Sequence, residues 1–150
     1  MGLADEIIGT WRLTSRTDRL PTGEPRDEPT LGPDPHGLLV YDRAGNFAAQ
    51  FMRRDRSAEE AQPIVAAAST PARNNSTAIG GYDAYFGTYT VDDASDLVTQ
   101  RLVGALNPGD VGSVVTRGMR VIDGELVIRI ELTAADGVPV VRTLRWSREA

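Results

Sequence analysis

Two arginines and a tyrosine carry the sharpest chemical signal in this 150-residue chain. Arg117 and Arg142 sit in stretches whose alternate residues are strongly apolar, and Tyr41 ends another apolar run. A pair of guanidiniums suits a carboxylate, an enolate or an acidic enol, because each planar fork can give two parallel hydrogen bonds to such a group. Tyr41 would add a hydroxyl. The three together could polarise a carbonyl or hold an enolate with no metal and no cofactor.

Other chemistries are excluded by composition. The chain has no Cys, so it has no thiol nucleophile and no thiolate metal site. All sixteen basic residues are Arg, which removes Schiff-base chemistry and a P-loop lysine. His36 is the single histidine, so neither a multi-histidine metal site nor a Ser-His-Asp arrangement is supported. Gly80-Gly81 is a lone pair followed by Tyr82, not a phosphate cradle. A net charge of −5 argues against nucleic acid. No apolar run approaches the roughly 18–20 residues of a membrane-spanning helix. The N-terminal residues lack the basic and apolar regions of a signal peptide, and a cytoplasmic location is expected.

The elements that must position these groups are strands. Leu126, Ile128, Ile130 and Leu132 alternate with Val127, Arg129, Glu131 and Thr133, the pattern of a half-buried strand. Asp123-Gly124 joins it to Ser113–Ile122 as a two-residue hairpin. Ala135-Asp136-Gly137 joins it to Pro139–Trp146. Earlier strands are expected over Ile8–Thr17, Gly37–Asp42, Asn46–Arg53, Ala84–Val91 and Leu97–Gly104. The count is eight, nearly all consecutive antiparallel neighbours. Leu20–Pro35, with five prolines, reads as a long irregular loop. Ser57 with Glu60 resembles a helix-capping box, and Ser76–Asp83 reads as a second short helix.

Tight turns set register, and register decides which side chains share a face. The Asp123-Gly124 turn pairs Val121 with Leu126, Met119 with Ile128 and Arg117 with Ile130. The Ala135–Gly137 turn pairs Leu132 with Val140, Ile130 with Arg142 and Ile128 with Leu144. Arg117 and Arg142 therefore point inward beside Ile130, roughly 10 Å apart by strand spacing. No acidic residue of these three strands shares that face. A carboxylate from another strand, water in a wet cavity or an anionic ligand must compensate them. A turn displaced by one residue, or side chains snorkelling to the rim, would remove the need. Similarly, Tyr41 pairs with Phe47, so Leu39, Tyr41, Phe47, Ala49 and Phe51 share the inner face. For the next strand two faces stay open: Tyr85 and Tyr89 inward, or Phe86 and Thr88. Trp11, Trp146 and Leu126 are expected at the barrel floor, with Arg145 or Arg148 stacked on Trp11.

Connection lengths complete the plan. Short turns all fall at one end of an up-and-down arrangement and long connections at the other. The expected fold is an all-β, eight-stranded antiparallel up-and-down barrel with a short helical lid segment around residues 55–83. Such a barrel is either filled or holds one small ligand. The expected ligand lining is Leu39, Phe47, Phe51, Tyr85, Tyr89, Met119, Ile128, Ile130 and Leu144, beside Arg117, Arg142 and Tyr41.

Several segments then resemble a known family. Gly9-Thr10-Trp11 resembles the lipocalin Gly-x-Trp signature. Residues 32–41 (GPDPHGLLVY), 49–53 (AQFMR) and 84–92 (AYFGTYTVD), with Leu144-Arg145-Trp146, are similar in order and spacing to the bacterial and fungal lipocalin-like domain family. The resemblance implies a small barrel with an apolar interior, in a family scattered through secondary-metabolite gene clusters. Some barrels of similar build are cyclases or isomerases, but no shared catalytic set carries over. Similar sequences often place histidine mid-way along the fifth strand, where this chain has Gln100-Arg101.

The functional expectation is binding of a largely apolar small molecule, acidic where the arginines lie. The protein would act on it as a cofactor-independent cyclase or isomerase of natural-product, polyketide-like biosynthesis. Shape, water exclusion and one or two donors suffice for such chemistry. A non-catalytic carrier of a hydrophobic molecule is the alternative, and a filled barrel acting through its surface is a third. Partners are expected to be the small molecule alone, with no nucleic acid or membrane, in a monomer or homodimer.

Overall fold

The computed structural model describes residues 2–56, 78–134 and 136–149. A one-turn helix, α1 (Leu3–Glu6), precedes nine strands: β1 (Gly9–Arg19), β2 (Pro25–Arg26), β3 (His36–Tyr41), β4 (Asn46–Met52), β5 (Tyr82–Asp92), β6 (Leu97–Ala105), β7 (Val114–Ile122), β8 (Glu125–Thr133) and β9 (Pro139–Arg148). Neighbours pair antiparallel in chain order from β3 to β9; β1 pairs with β3 on one side and β9 on the other. That last ladder closes an eight-stranded antiparallel barrel. β2 is a two-residue addition on Asp18 and Arg19.

The turns behave as their sequences require. Asp123 and Gly124 both have positive φ, so the hairpin twists with its strands, and Met119 meets Ile128. Ile130 faces Arg142 and Leu132 faces Val140. Tyr41 faces Phe47. The short turns gather at the lower end with α1, where the Ala4 amide donates to Asp93. Trp11 is fully buried there, its indole N–H donates to the Ile7 carbonyl, and Arg148 stacks on its ring at 4.2 Å.

Two expectations change, and one open alternative is resolved. Residues 78–83 are not a second helix: Ile79 and Tyr82 exchange two backbone hydrogen bonds around Gly80-Gly81, and β5 begins at Tyr82. Both glycines have positive φ, which suits a tight turn and stops a helix. The rest of the proposed lid, residues 57–77, lies outside the described residues. Of the two arginines offered for Trp11, Arg148 is the one that stacks, and Arg145 pairs with Glu125 at 3.0 Å on the outer face. Trp146 is not at the floor; its ring meets Phe51 edge-on at 5.7 Å, and it lines the interior.

A second departure in regularity lies in β1. Leu13 faces Trp146, but Ser15 faces Arg145, so Thr14 is an extra residue in the ladder. Its hydroxyl donates to the Arg145 carbonyl at 3.0 Å. A bulge of this kind flips the strand's parity. Trp11 and Leu13 point inward below it, and Arg16 and Asp18 are the buried residues above it.

Close packing between β5 and β6 supplies a direct test. A Cβ on Gly87 would lie 1.7 Å from the Arg101 carbonyl oxygen. Gly87→Ala should therefore cost about 3 kcal/mol of stability, read by urea unfolding. A loss of a few tenths would contradict this register.

Candidate functional site

The interior of the barrel is apolar at its walls and charged towards its upper end. Leu39, Ala49, Phe51, Met119, Ile128 and Leu144 are buried there. Trp146, Ile130, Gln100, Tyr85 and Arg117 complete the lining of a central cavity. Side chains fill it almost completely, leaving about 20 Å³. That is room for about one water molecule.

The alternation of β5 resolves the face left open by the sequence. Tyr85 and Tyr89 pack against the core, and Phe86 is 55% exposed. Tyr85 therefore reaches the cavity with Leu39, Phe51, Met119, Ile128, Ile130 and Leu144. Phe47 and Tyr89 are inside the barrel but pack on Tyr41, at 6.1 and 4.8 Å between ring centres, rather than on the cavity. The Tyr89 hydroxyl donates to the Asp42 carbonyl at 2.6 Å.

Tyr41 is committed to the barrel itself. Its hydroxyl accepts from the Gln100 amide at 2.6 Å and donates to the Met119 sulfur at 3.7 Å. Burial pushes its pKa well above the ordinary tyrosine value. Tyr85 is pushed the same way, first by burial and then by Asp83. Both phenols stay protonated and act as donors or acceptors, not as bases. Gln100 occupies an inward position of β6, and Arg101 points outward.

The two arginines part company. Arg142 is 2% exposed and meets Asp18 directly across the β1–β9 ladder. Its Nε and Nη2 donate to the two Asp18 oxygens at 2.7 and 2.9 Å. Of the three compensations open to it, a carboxylate from another strand is the one realised. Arg117 is different. It lines the cavity, and its Nη1 makes one long hydrogen bond, 3.4 Å, to the Thr116 carbonyl. Among the described residues no carboxylate pairs with it. Burial lowers its pKa, with Tyr85 and Tyr41 acting in the opposite sense.

Four charged groups at the upper end, Arg16, Asp18, Glu28 and Asp83, were missed from the sequence. Arg16 and Asp18 point inward only because of the Thr14 bulge, which no residue pattern announces. Arg16 donates to Glu28 of the proline-rich loop at 2.8 Å. Glu28 also accepts the Thr30 hydroxyl and amide and the Leu31 amide. Against the cost of its burial, Arg16 and these donors hold its carboxyl down at about 2. Asp83 shares the inward face of β5 with Tyr85, and burial pushes its carboxyl up to about 6. The Ala84 amide and Arg16 pull it down, and Asp110 pushes it up. Period two from Tyr85 would have placed Asp83 inside had the face been settled. His36 is exposed at the start of β3. Among the described residues no three metal-ligating side chains cluster.

Two stability measurements follow. Asp18→Ala leaves the Arg142 guanidinium buried without its partner and should cost about 4 kcal/mol in urea unfolding. Asp18→Leu with Arg142→Met should cost far less, because both desolvated charges leave together. Asp83 has the opposite sign. Its folded pKa is raised, so the folded state holds its proton longer, and its burial penalty grows as pH rises from about 4 to about 6. Asp83→Asn should raise stability at pH 7 by about 2 kcal/mol, and the gain should vanish below about pH 4.

The barrel is similar to the solved structure of bovine odorant-binding protein in complex with a selenium-containing odorant. The TM-score is 0.48 and the identity 14%, over 100% of this chain and 74% of that one. No curated protein matches the sequence. The family model described as the lipocalin-like domain matches residues 8–149, nearly the whole barrel. The chain belongs to the lipocalin-like domain family.

Proposed function

We propose that the protein binds a small, largely apolar molecule with an acidic group inside the barrel. It acts on that molecule as a cofactor-independent cyclase or isomerase of natural-product, polyketide-like biosynthesis. One observation carries the reading: Arg117 projects a guanidinium onto the wall of an apolar cavity, and among the described residues no carboxylate answers it. A half-buried cation of this kind on an apolar wall is stabilised by an anion that arrives from outside.

The free space of about 20 Å³ means that a ligand displaces side chains rather than filling a void. Arg117 and Tyr85 are long groups on the cavity wall and turn towards the ligand as it enters. In the bound barrel, dry walls hold a flexible substrate in one conformer, and the two donors polarise its carbonyl or enolate. Rate enhancement then comes from positioning and water exclusion, which need neither metal nor thiol.

A second reading, a non-catalytic carrier, is favoured by Tyr41. Its hydroxyl is held by Gln100 and Met119, as Arg142 is by Asp18, so two of the three groups expected to act on a substrate are occupied by the barrel.

Native mass spectrometry of the purified protein, with extraction of whatever copurifies, tests occupancy. Titration with octanoate and octanol then tests charge. Wild type should prefer octanoate, and Arg117→Met should cut octanoate affinity at least tenfold, the size of one charged hydrogen bond, with octanol unchanged. Equal octanoate binding by Arg117→Met would sink the acidic reading. Conversion of an extracted molecule by the apo protein would decide for the enzyme, and its unchanged release for the carrier.

A further inference from the structure

We propose that Arg16 is the second arm of the acid-binding site, and that Glu28 holds its place there while the barrel is empty. This rests on the reading that an acidic ligand enters the barrel. Arg16 faces Leu144, a cavity residue, across the β1–β9 ladder. Its side chain is only 1% exposed. Nη1 donates to Glu28, but Nε and Nη2 have no hydrogen-bond partner. Those two donors form the side-on edge of a guanidinium, the edge that grips a carboxylate through both oxygens. The neighbouring Arg142 shows the filled version, because its Nε and Nη2 hold the two oxygens of Asp18. In Arg16 the same edge is open and out of water.

Among the described residues no carboxylate bonds to it: Asp83 feels the Arg16 charge but makes no hydrogen bond to that edge. Both oxygens of Asp18 face Arg142. The Glu28 oxygens already receive Arg16 Nη1, the Leu31 amide and both Thr30 donors, which bind that carboxylate to the loop. A buried, half-satisfied guanidinium is costly, and structural roles ordinarily fill both edges. The charges of Arg16 and Arg117 both act on the Tyr85 hydroxyl, which lines the cavity. An anionic headgroup seated beside Tyr85 is drawn by Arg117 from the β7 wall and by Arg16 from the β1 wall. The ligand class is a monocarboxylate or an enolate on an apolar body. Its headgroup takes the open edge of Arg16 and competes with Glu28 for the same positive charge. Leu31 is fully buried three residues beyond Glu28, so this competition reports on the seating of the proline-rich loop.

The test uses octanoate against octanol as probes of the intact protein. In wild type, the Arg16 Nε–H resonance, assigned by its loss in Arg16→Lys, should shift and gain protection from exchange with octanoate but not with octanol. Glu28→Gln should tighten octanoate about tenfold and leave octanol unchanged, because a competing negative charge is removed. If Glu28→Gln moves both probes equally, Glu28 is a loop anchor and the proposal is overturned. An unmoved Arg16 resonance in wild type overturns it even where a variant does not fold. If octanoate binds, Arg117→Met removes its preference and Arg16 does not respond, the acidic-ligand reading stands and this proposal falls. If neither probe binds wild type, both fall together.

Discussion

Asp18 and Arg142 face each other across the seam that closes the barrel, and both are taken out of water. Their two short hydrogen bonds tie the upper part of β1 to β9, where closure would otherwise rest on backbone bonds alone. The pair also consumes a cation that the apolar face could not tolerate alone. Its existence depends on a single extra residue. Without the Thr14 bulge, Asp18 would turn to solvent and Arg142 would be stranded among Ile130, Val140 and Leu144.

The same parity change organises the mouth. Arg16 enters the barrel on the turn of strand that brings in Asp18. It then recruits Glu28 and fastens the proline-rich loop over the upper end, where Leu31 and Pro35 are buried. Below this charged collar the cavity is almost full. The lower end is closed by Trp11, α1 and Arg148, so the buried charged groups are concentrated at the upper end. A ligand that satisfied the collar would carry its charge near Tyr85 and its apolar body among Phe51, Met119 and Ile128.

The cavity chemistry is narrow for a physical reason. Buried phenols stay protonated, Gln100 is an amide on the inward face of β6, and the carboxyl that burial pushes up, Asp83, sits beside Tyr85. The interior therefore offers donors and a field rather than strong bases. That suits a reaction whose barrier is largely conformational, or no reaction at all.

Strand count, hairpin register and the inward placement of Arg142 and Tyr41 were determined by the sequence itself, because two-residue and three-residue turns set parity locally. Asp123-Gly124 is the clearest instance: its turn type forces Met119 against Ile128, and the cavity wall follows from it. The family was legible for a similar reason, since Gly9-Thr10-Trp11 and the strand motifs are local features. What only the tertiary structure decided lies where local rules stop. The Thr14 bulge arises from how β1 must bend to meet both β3 and β9, and no residue type signals it. Nor does local pattern say which carboxylate crosses the seam, since Asp18 and Arg142 are 124 positions apart. The difference between a satisfied Arg142 and an open Arg16 is therefore a property of closure, the one step that brings the two ends of the chain together.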